Sequence, residues 1–489
     1  MNLSKSKYCL GLQCKKILWL DKNKPEVKEE SDLSSIMEQG NLVHEVAKYL
    51  FGENISIPYN KNLKEMIKDT YHTMESYEDV IITEASFNYD NNFCSVDILI
   101  KRKDNYEIYE VKSSTGLKDI YINDASYQYY ILTNLGLNVT KCSVITLNRE
   151  YERIGNLELD KLFTINDITP DVKELQDTVK NKIEEINEYM DSETELDMDI
   201  DKHCFDPYFC PYFKFCTRNL PIPNVFDITR EPGVTALKLY KDGYVSFNDL
   251  LNANISKKYM QRIEYDLYNK EDYIDKESIK EYLSTLSYPL YFLDFETYQM
   301  PIPLFDHVKP YEKIPFQYSL HYYEKENSEL KHTEYLGIPG TDPRRLLAES
   351  LVNDIPKDVC TLAYNMSFEK AVIRRLASIY PDLSEHLMNI HDNIKDLEDP
   401  FSKRYYYTKN MEGSSSIKKV LPALFPSDPE LNYHNLELVH NGNEAMDTFV
   451  KMNNMDKEEL EYTKKQMLKY CFLDTYAMVK IYDKLKRIK

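Results

Sequence analysis

Apolar and polar positions alternate along two neighbouring segments in the first quarter of the chain and predict a β-hairpin there. The segments are residues 93–101 and 106–112, and a short polar turn joins them. An apolar, aromatic run at residues 290–296 predicts a further strand, which begins an α/β pattern that continues to the last residue. Residues 235–285 place apolar positions at helical spacing. The pattern therefore predicts a multidomain α/β protein.

Two changes in sequence character divide this pattern into parts. An acidic run from Glu184 to Asp201 predicts a solvated connection, and a Pro-containing stretch follows at residues 220–224. The composition changes again at Tyr288, where the second α/β pattern begins. We therefore predict a first domain at residues 1–220, a helical bridge at 221–285 and a second domain at 286–489.

Composition narrows the classes of function. The chain has 489 residues, 42% of them hydrophobic, so it can bury several cores, and its formal net charge is −20. Such acidity argues against a protein that coats nucleic acid non-specifically. It does not exclude a nuclease, because carboxylate sites bind metal ions before phosphate. No stretch approaches the roughly 18 apolar residues of a membrane span, and the sequence predicts a soluble, cytoplasmic protein.

Charged residues of the predicted hairpin can share one face of a sheet. Glu110 and Lys112 are two apart on one strand, and Asp97 lies on the neighbouring strand. Two carboxylates and an ammonium suit a divalent metal and a phosphoryl group that develops negative charge. His44 on an earlier predicted helix could reach the same metal, and Gln128 on a later helix completes the ordered set. A surface strand with an ion pair is the alternative for the Glu-Val-Lys segment alone.

This ordered set resembles the PD-(D/E)xK nucleases of the RecB type, which include the exonucleases that accompany CRISPR adaptation. The resemblance covers about residues 1–218, and Val96 stands where the motif is named for proline. It implies a restriction-endonuclease-like domain that hydrolyses phosphodiester bonds with one or two Mg²⁺ or Mn²⁺ ions. The implied metal ligands are His44, Asp97 and Glu110, and the implied catalytic residues are Lys112, which would orient or activate water, and Gln128.

Four cysteines form a second predicted site. Cys204, Cys210 and Cys216 are six residues apart, and Cys14 is the natural fourth ligand of a closed metal site. In the RecB-type family the same arrangement holds a [4Fe–4S] cluster, so the resemblance implies that cluster here. Zinc is the alternative, with His203 as a spare ligand, although zinc ligands usually pair at spacings of two to four residues. Cysteines that merely pack in an aromatic core are a third possibility.

Acidic residues of the second domain are spaced so that they can meet. Asp294 and Glu296 are two apart on a predicted strand and share a face, and Glu369 starts a helix after another strand. Tyr470 and Asp474 are four apart on a later helix and share its face. Four such acids could hold two divalent ions roughly 3.5–4 Å apart, as in two-metal hydrolysis at phosphorus. The alternative is an α/β domain with ordinary surface acids.

The order of these acids is similar to that of the DEDD exonucleases with a tyrosine in the last motif, which share the RNase H-like fold. The resemblance covers residues 286–489 and implies trimming of 3′ ends with two metals. Glu369 departs from the pattern, since most relatives have Asp there. A phenol has an unperturbed pKa near 10, so we expect Tyr470 to orient the attacking water rather than act as a free base. Asp396 is an accessory candidate.

Together the two halves resemble a bacterial family that joins both nuclease types in one chain. We expect Gln317 to contact a terminal base, Lys418 to bind phosphate and Asn365 to contribute to substrate binding. The sequence thus predicts a metal-dependent nuclease that processes DNA ends or single strands in repair or phage defence. The alternative is a nucleic-acid-binding scaffold protein in which one or both nuclease sites are inactive.

Overall fold

The computed structural model describes residues 3–29, 34–229 and 233–488. Contacts between Cα atoms divide the chain into two compact units. The first unit comprises Met1–Asn219 and Met300–Glu312, and the second comprises Leu220–Gln299 and Lys313–Lys489. No helix of the described residues is long and apolar enough to cross a membrane.

Residues 300–312 belong to the first unit although the sequence pattern placed them in the second domain. The Arg153 guanidinium donates a hydrogen bond of 3.0 Å to the carbonyl of Pro303. The Tyr311 hydroxyl donates one of 2.6 Å to the carbonyl of Ser113. These long-range bonds have no signature in the local pattern of apolar residues, so the sequence could not predict this excursion of the chain.

A mixed sheet forms the centre of the first unit. Its strands are β1 (Leu3–Ser4), β2 (Ile55–Ser56), β3 (Asp79–Tyr89), β4 (Asn92–Arg102), β5 (Asn105–Val111), β6 (Asn138–Leu147) and β7 (Phe163–Asp167). The order is β2-β3-β4-β5-β6-β7, with β1 paired to β4 outside this path. β3, β4 and β5 run antiparallel and β6 is parallel to β5. The predicted hairpin is confirmed as β4 and β5.

Helices cover both faces of this sheet. They are α1 (Lys5–Gln13), α2 (Lys15–Asn23), α3 (Ser34–Ala47), α4 (Leu63–Ser76), α5 (Asp119–Asn134), α6 (Leu159–Leu162), α7 (Thr169–Glu174), α8 (Gln176–Met190) and α9 (Phe213–Cys216). On one face Leu99 of β4 packs in a core with Ile131 of α5. On the other face Ile98 packs in a core with Val43 of α3. Consecutive strand residues thus serve opposite faces, as the pleat requires.

The acidic run that begins at Glu184 is not simply a solvated connection, as the sequence predicted. Its first part lies in α8, where Ile186 is fully buried and packs in the core that contains Leu18 of α2. Further along, Glu195 pairs with the buried Lys16 at 2.9 Å. The run therefore joins the N-terminal helices to the rest of the first unit.

The second unit has its own sheet with a different strand order. Its strands are β8 (Tyr273–Ile274), β9 (Leu290–Tyr298), β10 (Ile314–Tyr323), β11 (Lys331–Leu336), β12 (Cys360–Ala363), β13 (Ile394–Asp396) and β14 (Tyr406–Tyr407). The main sheet has the order β11-β10-β9-β12-β13, and β14 pairs separately with β8. β9, β10 and β11 are antiparallel neighbours, whereas β12 and β13 run parallel to β9.

Helices also cover both faces of the second sheet. They are α10 (Val234–Lys241), α11 (Phe247–Leu250), α12 (Lys257–Tyr268), α13 (Lys276–Ser284), α14 (Arg344–Asp354), α15 (Ser367–Ile379), α16 (Pro381–Asp392), α17 (Asp399–Ser402), α18 (Ile417–Leu424), α19 (Gly442–Lys451) and α20 (Lys457–Lys486). Phe292 of β9 packs in a core with Ile481 of α20, and Leu293 packs in another with Ile373 of α15. The residues of β9 that share a face with Phe292 therefore point towards α20.

Candidate metal centres

Three carboxylates meet between β9 and α20. Asp294 and Glu296 share the face of Phe292, and Asp474 comes from α20. One oxygen from each of the three lies within 4.8 Å of the others. This confirms the expectation from their spacing that the two strand acids and the helix acid converge. We call this group, with Glu369, the second centre.

Two tyrosines lie beside the carboxylates of the second centre. Tyr470 lies one helical turn before Asp474 and is near enough to Glu296 and Asp474 to lower the pKa of both. Tyr433 donates a 2.6 Å hydrogen bond to Asp474 Oδ1. Asp474 Oδ2 is buried and has no hydrogen-bond partner among the described residues. The sequence did not single out Tyr433, because it lies in a short 3₁₀ turn with no periodic pattern to connect it with α20.

Glu369 lies in the first turn of α15, directly after β12, as the sequence predicted. It is near enough to raise the pKa of Asp294 and Glu296, but its carboxylate is outside the group of three. Its Oε2 atom is buried without a hydrogen-bond partner in the described part of the chain. Burial raises the pKa of Glu369 to about 8. The structure thus places the fourth acid beside the other three but outside the group whose ligand atoms all lie within 4.8 Å of one another.

Burial makes the negative charge of the second centre costly. It raises the pKa of Asp294 well above its usual range, and repulsion from Asp474, Glu296 and Glu369 raises it further. Burial and Asp474 raise the pKa of Glu296 to about 8. The pKa of Asp474 rises to about 6 through burial, although the hydrogen bond from Tyr433 and the nearby Tyr470 oppose the rise. A divalent cation would offset this repulsion, so these carboxylates are suitable ligands for a divalent cation.

The accessory candidate Asp396 and the substrate-binding candidates Asn365 and Lys418 lie at different places around the second centre. Asp396 accepts hydrogen bonds from the backbone N–H groups of Asn365 (2.9 Å) and Met366 (3.1 Å), so it holds the turn before α15 and is not placed as a metal ligand. Asn365 itself is exposed at that turn, with φ at 66°. Lys418 is exposed in the first turn of α18 and lowers the pKa of Glu296 and Asp474.

The expected contact of Gln317 with a base is not supported by the structure. Gln317 is fully buried on β10, opposite Glu296, and its side-chain amide donates a 2.9 Å hydrogen bond to the carbonyl of Met467. The side chain therefore joins β10 to α20 inside the unit. A base could not reach it without separating these two elements.

In the first unit His44 and Asp97 come together, as predicted, and Glu84 joins them. Ligand atoms of the three residues lie within 4.8 Å of one another, and His44 Nδ1 is 3.9 Å from Asp97 Oδ1. Glu84 lies on β3 between the residues that pair with Val96 and Ile98, and its φ of 60° is left-handed. An imidazole and two carboxylates suit a divalent metal. One signal in the sequence could have indicated Glu84, since it is an acid within the apolar run of β3.

Glu110 is held differently from the ligand set that the sequence predicted. Its oxygens accept hydrogen bonds from Lys5 Nζ at 2.9 and 3.1 Å, from Lys112 Nζ at 2.6 Å and from Gln128 Nε2 at 2.6 Å. Burial alone would raise the pKa of Glu110, but Lys112 and Lys5 lower it well below its usual range. Glu110, Lys112 and Gln128 therefore meet, while Glu110 is not part of the group formed by His44 and Asp97.

Asp124 completes the first centre. We use this name for the residues that meet in the first unit, which are Lys5, His44, Glu84, Asp97, Glu110, Lys112, Asp124 and Gln128. It forms a close ion pair with Lys112 and lies 3.9 Å from Lys5 Nζ. Burial and the negative charge of Glu110 raise the pKa of Asp124 to about 6, although Lys5 and Lys112 oppose the rise. Neither Asp124 nor Lys5 lies on the predicted hairpin, so the spacing of the charged residues on the hairpin did not indicate a role for either.

The four predicted cysteines are neighbours in the first unit. Cys14 lies between α1 and α2, and the other three belong to the segment that ends in α9. Burial raises the pKa of Cys210 to about 12, and the nearby Cys14, Cys204 and Cys216 contribute to the rise. Among the described residues, no three cysteine sulfurs form a group within 4.8 Å.

Side-chain hydrogen bonds attach this cysteine segment to the N-terminal helices. Gln13 Nε2 donates to the carbonyls of His203 at 3.0 Å and Tyr208 at 2.6 Å. The Tyr212 hydroxyl donates to Asp21 Oδ1 at 2.6 Å. These hydrogen bonds thus join the N-terminal helices to the cysteine segment.

Comparison with known proteins gives a match to a protein family. A family model described as a domain of unknown function, DUF2779, matches residues 291–416. The matched segment contains Asp294, Glu296 and Glu369 but ends before Tyr470 and Asp474 on α20. No curated protein matches the chain at a significant level. The match therefore covers part of the second centre and none of the first.

We predict that the protein without divalent metal loses stability as the pH rises from about 5 to 8. The pKa values of Glu296 and Glu369 are about 8 and that of Asp474 is about 6, above those of unfolded carboxyl groups. The folded protein then keeps protons that the unfolded chain releases, so the free energy of unfolding falls through this window. Mn²⁺ should raise the melting temperature more at pH 8 than at pH 5.

The matched variants are Glu296→Gln, in the second centre, and Glu459→Gln, an exposed glutamate on the same unit's α20. Melting temperatures measured from pH 5 to 8 should fall less steeply for Glu296→Gln than for the unchanged protein. Glu459→Gln should follow the unchanged protein. Equal slopes in all three proteins would contradict the electrostatic account of the second centre.

Proposed function

We propose that the chain is a metal-dependent nuclease with a hydrolytic centre in each unit and that it processes DNA ends or single strands. The observation that carries the proposal is the group of Asp294, Glu296 and Asp474, in which Glu296 is buried and the other two are half-buried. It contains a buried carboxylate oxygen without a partner, and the described residues form no ion pair with it. Buried carboxylates are costly unless a cation binds them. Metal ions held in this way are a common means of hydrolysing phosphodiester bonds.

The strand orders favour the folds that the sequence resemblances imply. In the second unit, three antiparallel strands are followed by two parallel ones, in the order β11-β10-β9-β12-β13, which is the order of an RNase H-like sheet. In the first unit, a helix, the β3-β4-β5 meander, α5 and the parallel β6 follow each other as in PD-(D/E)xK nucleases. Because one fold serves many functions, we infer nuclease activity from the residues of the two centres and not from the folds alone.

In the second centre, Asp294, Glu296 and Asp474 would hold divalent metal, with Glu369 beside them. Bound metal supplies water activation and stabilisation of the negative charge that develops on the phosphoryl group. Burial and the neighbouring acids raise the pKa of Tyr470, so its hydroxyl stays protonated and orients water as a hydrogen-bond donor or acceptor. Lys418 lies near enough to these acids to attract the phosphate of a substrate strand.

Tyr433 has a positioning role in this mechanism. Its hydrogen bond occupies Asp474 Oδ1 and leaves Oδ2 unpartnered. One oxygen of the carboxylate is therefore fixed and the other is available to a metal ion. Such support from outside the ligand set is typical of metal sites in proteins.

In the first centre, His44, Glu84 and Asp97 would hold divalent metal. Burial would lower the pKa of Lys112, but Glu110 and Asp124 raise it above its usual range, so the ammonium keeps its proton. Lys112 therefore acts as a positive charge that orients water or stabilises the phosphoryl oxygens, and not as a general base. Gln128 holds Glu110 in the position that pairs with Lys112.

For the cysteines we propose a [4Fe–4S] cluster. Zn–S bonds of about 2.3 Å would bring neighbouring sulfurs to roughly 3.8 Å in a tetrahedral site. The absence of three sulfurs within 4.8 Å, among the described residues, favours a larger group. Burial raises the pKa of Cys14 and Cys216, and the nearby Lys16, which pairs with Glu195, partly opposes the rise.

A nucleic-acid-binding scaffold is the second candidate, and the position of Glu369 favours it for the second unit. Glu369 lies outside the group of three acids, and its carboxylate occupies the place where the related exonucleases most often have Asp. If this separation weakens metal binding, the unit would bind a strand without cleaving it. Cleavage assays on variants of each centre separate the two candidates.

We predict that the full chain with Mn²⁺ shortens single-stranded DNA labelled at its 5′ end. Asp294→Asn should abolish the stepwise 3′ trimming because it removes a metal ligand, and Asp97→Asn should abolish the remaining cleavage. Tyr470→Phe should slow trimming by roughly ten- to a thousandfold, the scale of losing one positioned proton-transfer partner. Tyr462→Phe removes the same atom from an exposed tyrosine of α20 and should leave the rate unchanged.

Single-turnover gels at saturating enzyme give these rates directly. Undiminished cleavage by the double variant Asp97→Asn/Asp294→Asn would contradict the proposed function. If the unchanged chain binds DNA but does not shorten it from either end, the scaffold candidate is correct instead.

We predict that protein purified without oxygen is brown and carries about four iron and four sulfide per chain. Cys14→Ser should lose the iron and lower the melting temperature, because Cys14 links the first helices of the unit to the cysteine segment. Cys9→Ser, on the adjoining helix, should keep the iron. Elemental analysis that finds one zinc and no iron would contradict the cluster.

A further inference from the structure

Lys5 lies among the carboxylates of the first centre. It is the first residue of α1, and its Nζ atom is 2.9 and 3.1 Å from the two oxygens of Glu110. The same atom is 3.8 Å from Asp97 Oδ1 and 3.9 Å from Asp124 Oδ1. An ammonium therefore stands between the carboxylates of Asp97 and Glu110.

The fold fixes Lys5 in this position from both sides. Leu3 and Ser4, directly before it, pair as β1 with β4, the strand that carries Asp97. The Tyr127 hydroxyl donates a 2.6 Å hydrogen bond to the carbonyl of Leu3. At the other end of α1, Cys14 joins the cysteine segment. Lys5 is thus a built-in part of the centre and not a surface lysine that happens to reach it.

The charges of the first centre leave room for one divalent cation. Its carboxylates are those of Glu84, Asp97, Glu110 and Asp124, and its cationic side chains are those of Lys5 and Lys112. Four negative and two positive charges leave two negative charges in excess, which one divalent cation balances. The second centre also has four acids, but the described residues form no ion pair with them, so two divalent ions are needed for the same balance.

We propose that Lys5 takes the place of a second metal ion in the first centre. That centre then binds one divalent cation, at His44, Glu84 and Asp97, while Lys5 and Lys112 neutralise Glu110 and Asp124. The inference rests on the proposed function, because it takes the first centre to be a metal site. It assigns the two units different metal stoichiometries.

The test counts Mn²⁺ ions by titration calorimetry on the full chain with its cysteine site loaded as purified. Asp294→Asn and Asp474→Asn together remove the second centre, so the remaining heat reports the first. We expect one Mn²⁺ in this background and two when Lys5→Gln is added. Lys5→Arg, which keeps the charge, and Lys7→Gln, which removes a charge from the same helix away from these ion pairs, should keep one.

Each outcome separates the inference from the proposed function. Two Mn²⁺ ions in the background protein, or one in a Lys5→Gln protein that circular dichroism shows to be folded, would overturn the role of Lys5 alone. No Mn²⁺ in the background protein would overturn the metal centre itself and with it the proposed function of the first unit. The count in the background protein decides even if Lys5→Gln does not fold.

Discussion

Carboxylates buried close together repel one another, and this repulsion is the constraint on which both units depend. In the first unit, Lys5 and Lys112 lie within hydrogen-bonding distance of Glu110 and keep its pKa low. In the second unit no described lysine forms an ion pair with the acids of the second centre, and the pKa values of Asp294 and Glu296 are raised. The same cost is therefore offset by side chains in one unit and left for a bound cation in the other.

Each centre combines a central strand with a helix from a distant part of the chain. β4 supplies Asp97, and α1 brings Lys5 to it through the short strand β1. β9 supplies Asp294, and α20 brings Asp474 to it across the face of the sheet. In both units the strand acids face a helix inside the fold, and this is why they are buried and why their charge must be balanced.

Local spacing predicted the parts of the site that lie on one element. Residues two apart on a strand, such as Asp294 and Glu296, share a face, and Tyr470 and Asp474 share a helical face at a spacing of four. The mixed α/β, multidomain architecture and the β4–β5 hairpin also followed from the pattern of apolar residues. These features depend only on the pleat and on the pitch of the helix.

The residues that the sequence missed depend on contacts between distant segments. Lys5 lies more than a hundred positions from Glu110, and Tyr433 lies in a turn with no periodic pattern, so neither could be connected with its acid. The expected contact of Gln317 with a base was wrong for the same reason. The position of Gln317 in its strand indicates the face of the sheet on which its side chain lies, but it does not show that Met467 covers that face. The sequence likewise could not show that Glu84 of β3, with a left-handed backbone, lies opposite Asp97 of β4.

The central claim is that the buried carboxylates of both units hold divalent metal, and anomalous diffraction from crystals of the full chain soaked in Mn²⁺ tests it most directly. We expect anomalous peaks beside Asp294, Glu296 and Asp474 and beside His44, Glu84 and Asp97. Peaks confined to exposed acids, with none at either group of buried carboxylates, would contradict the account.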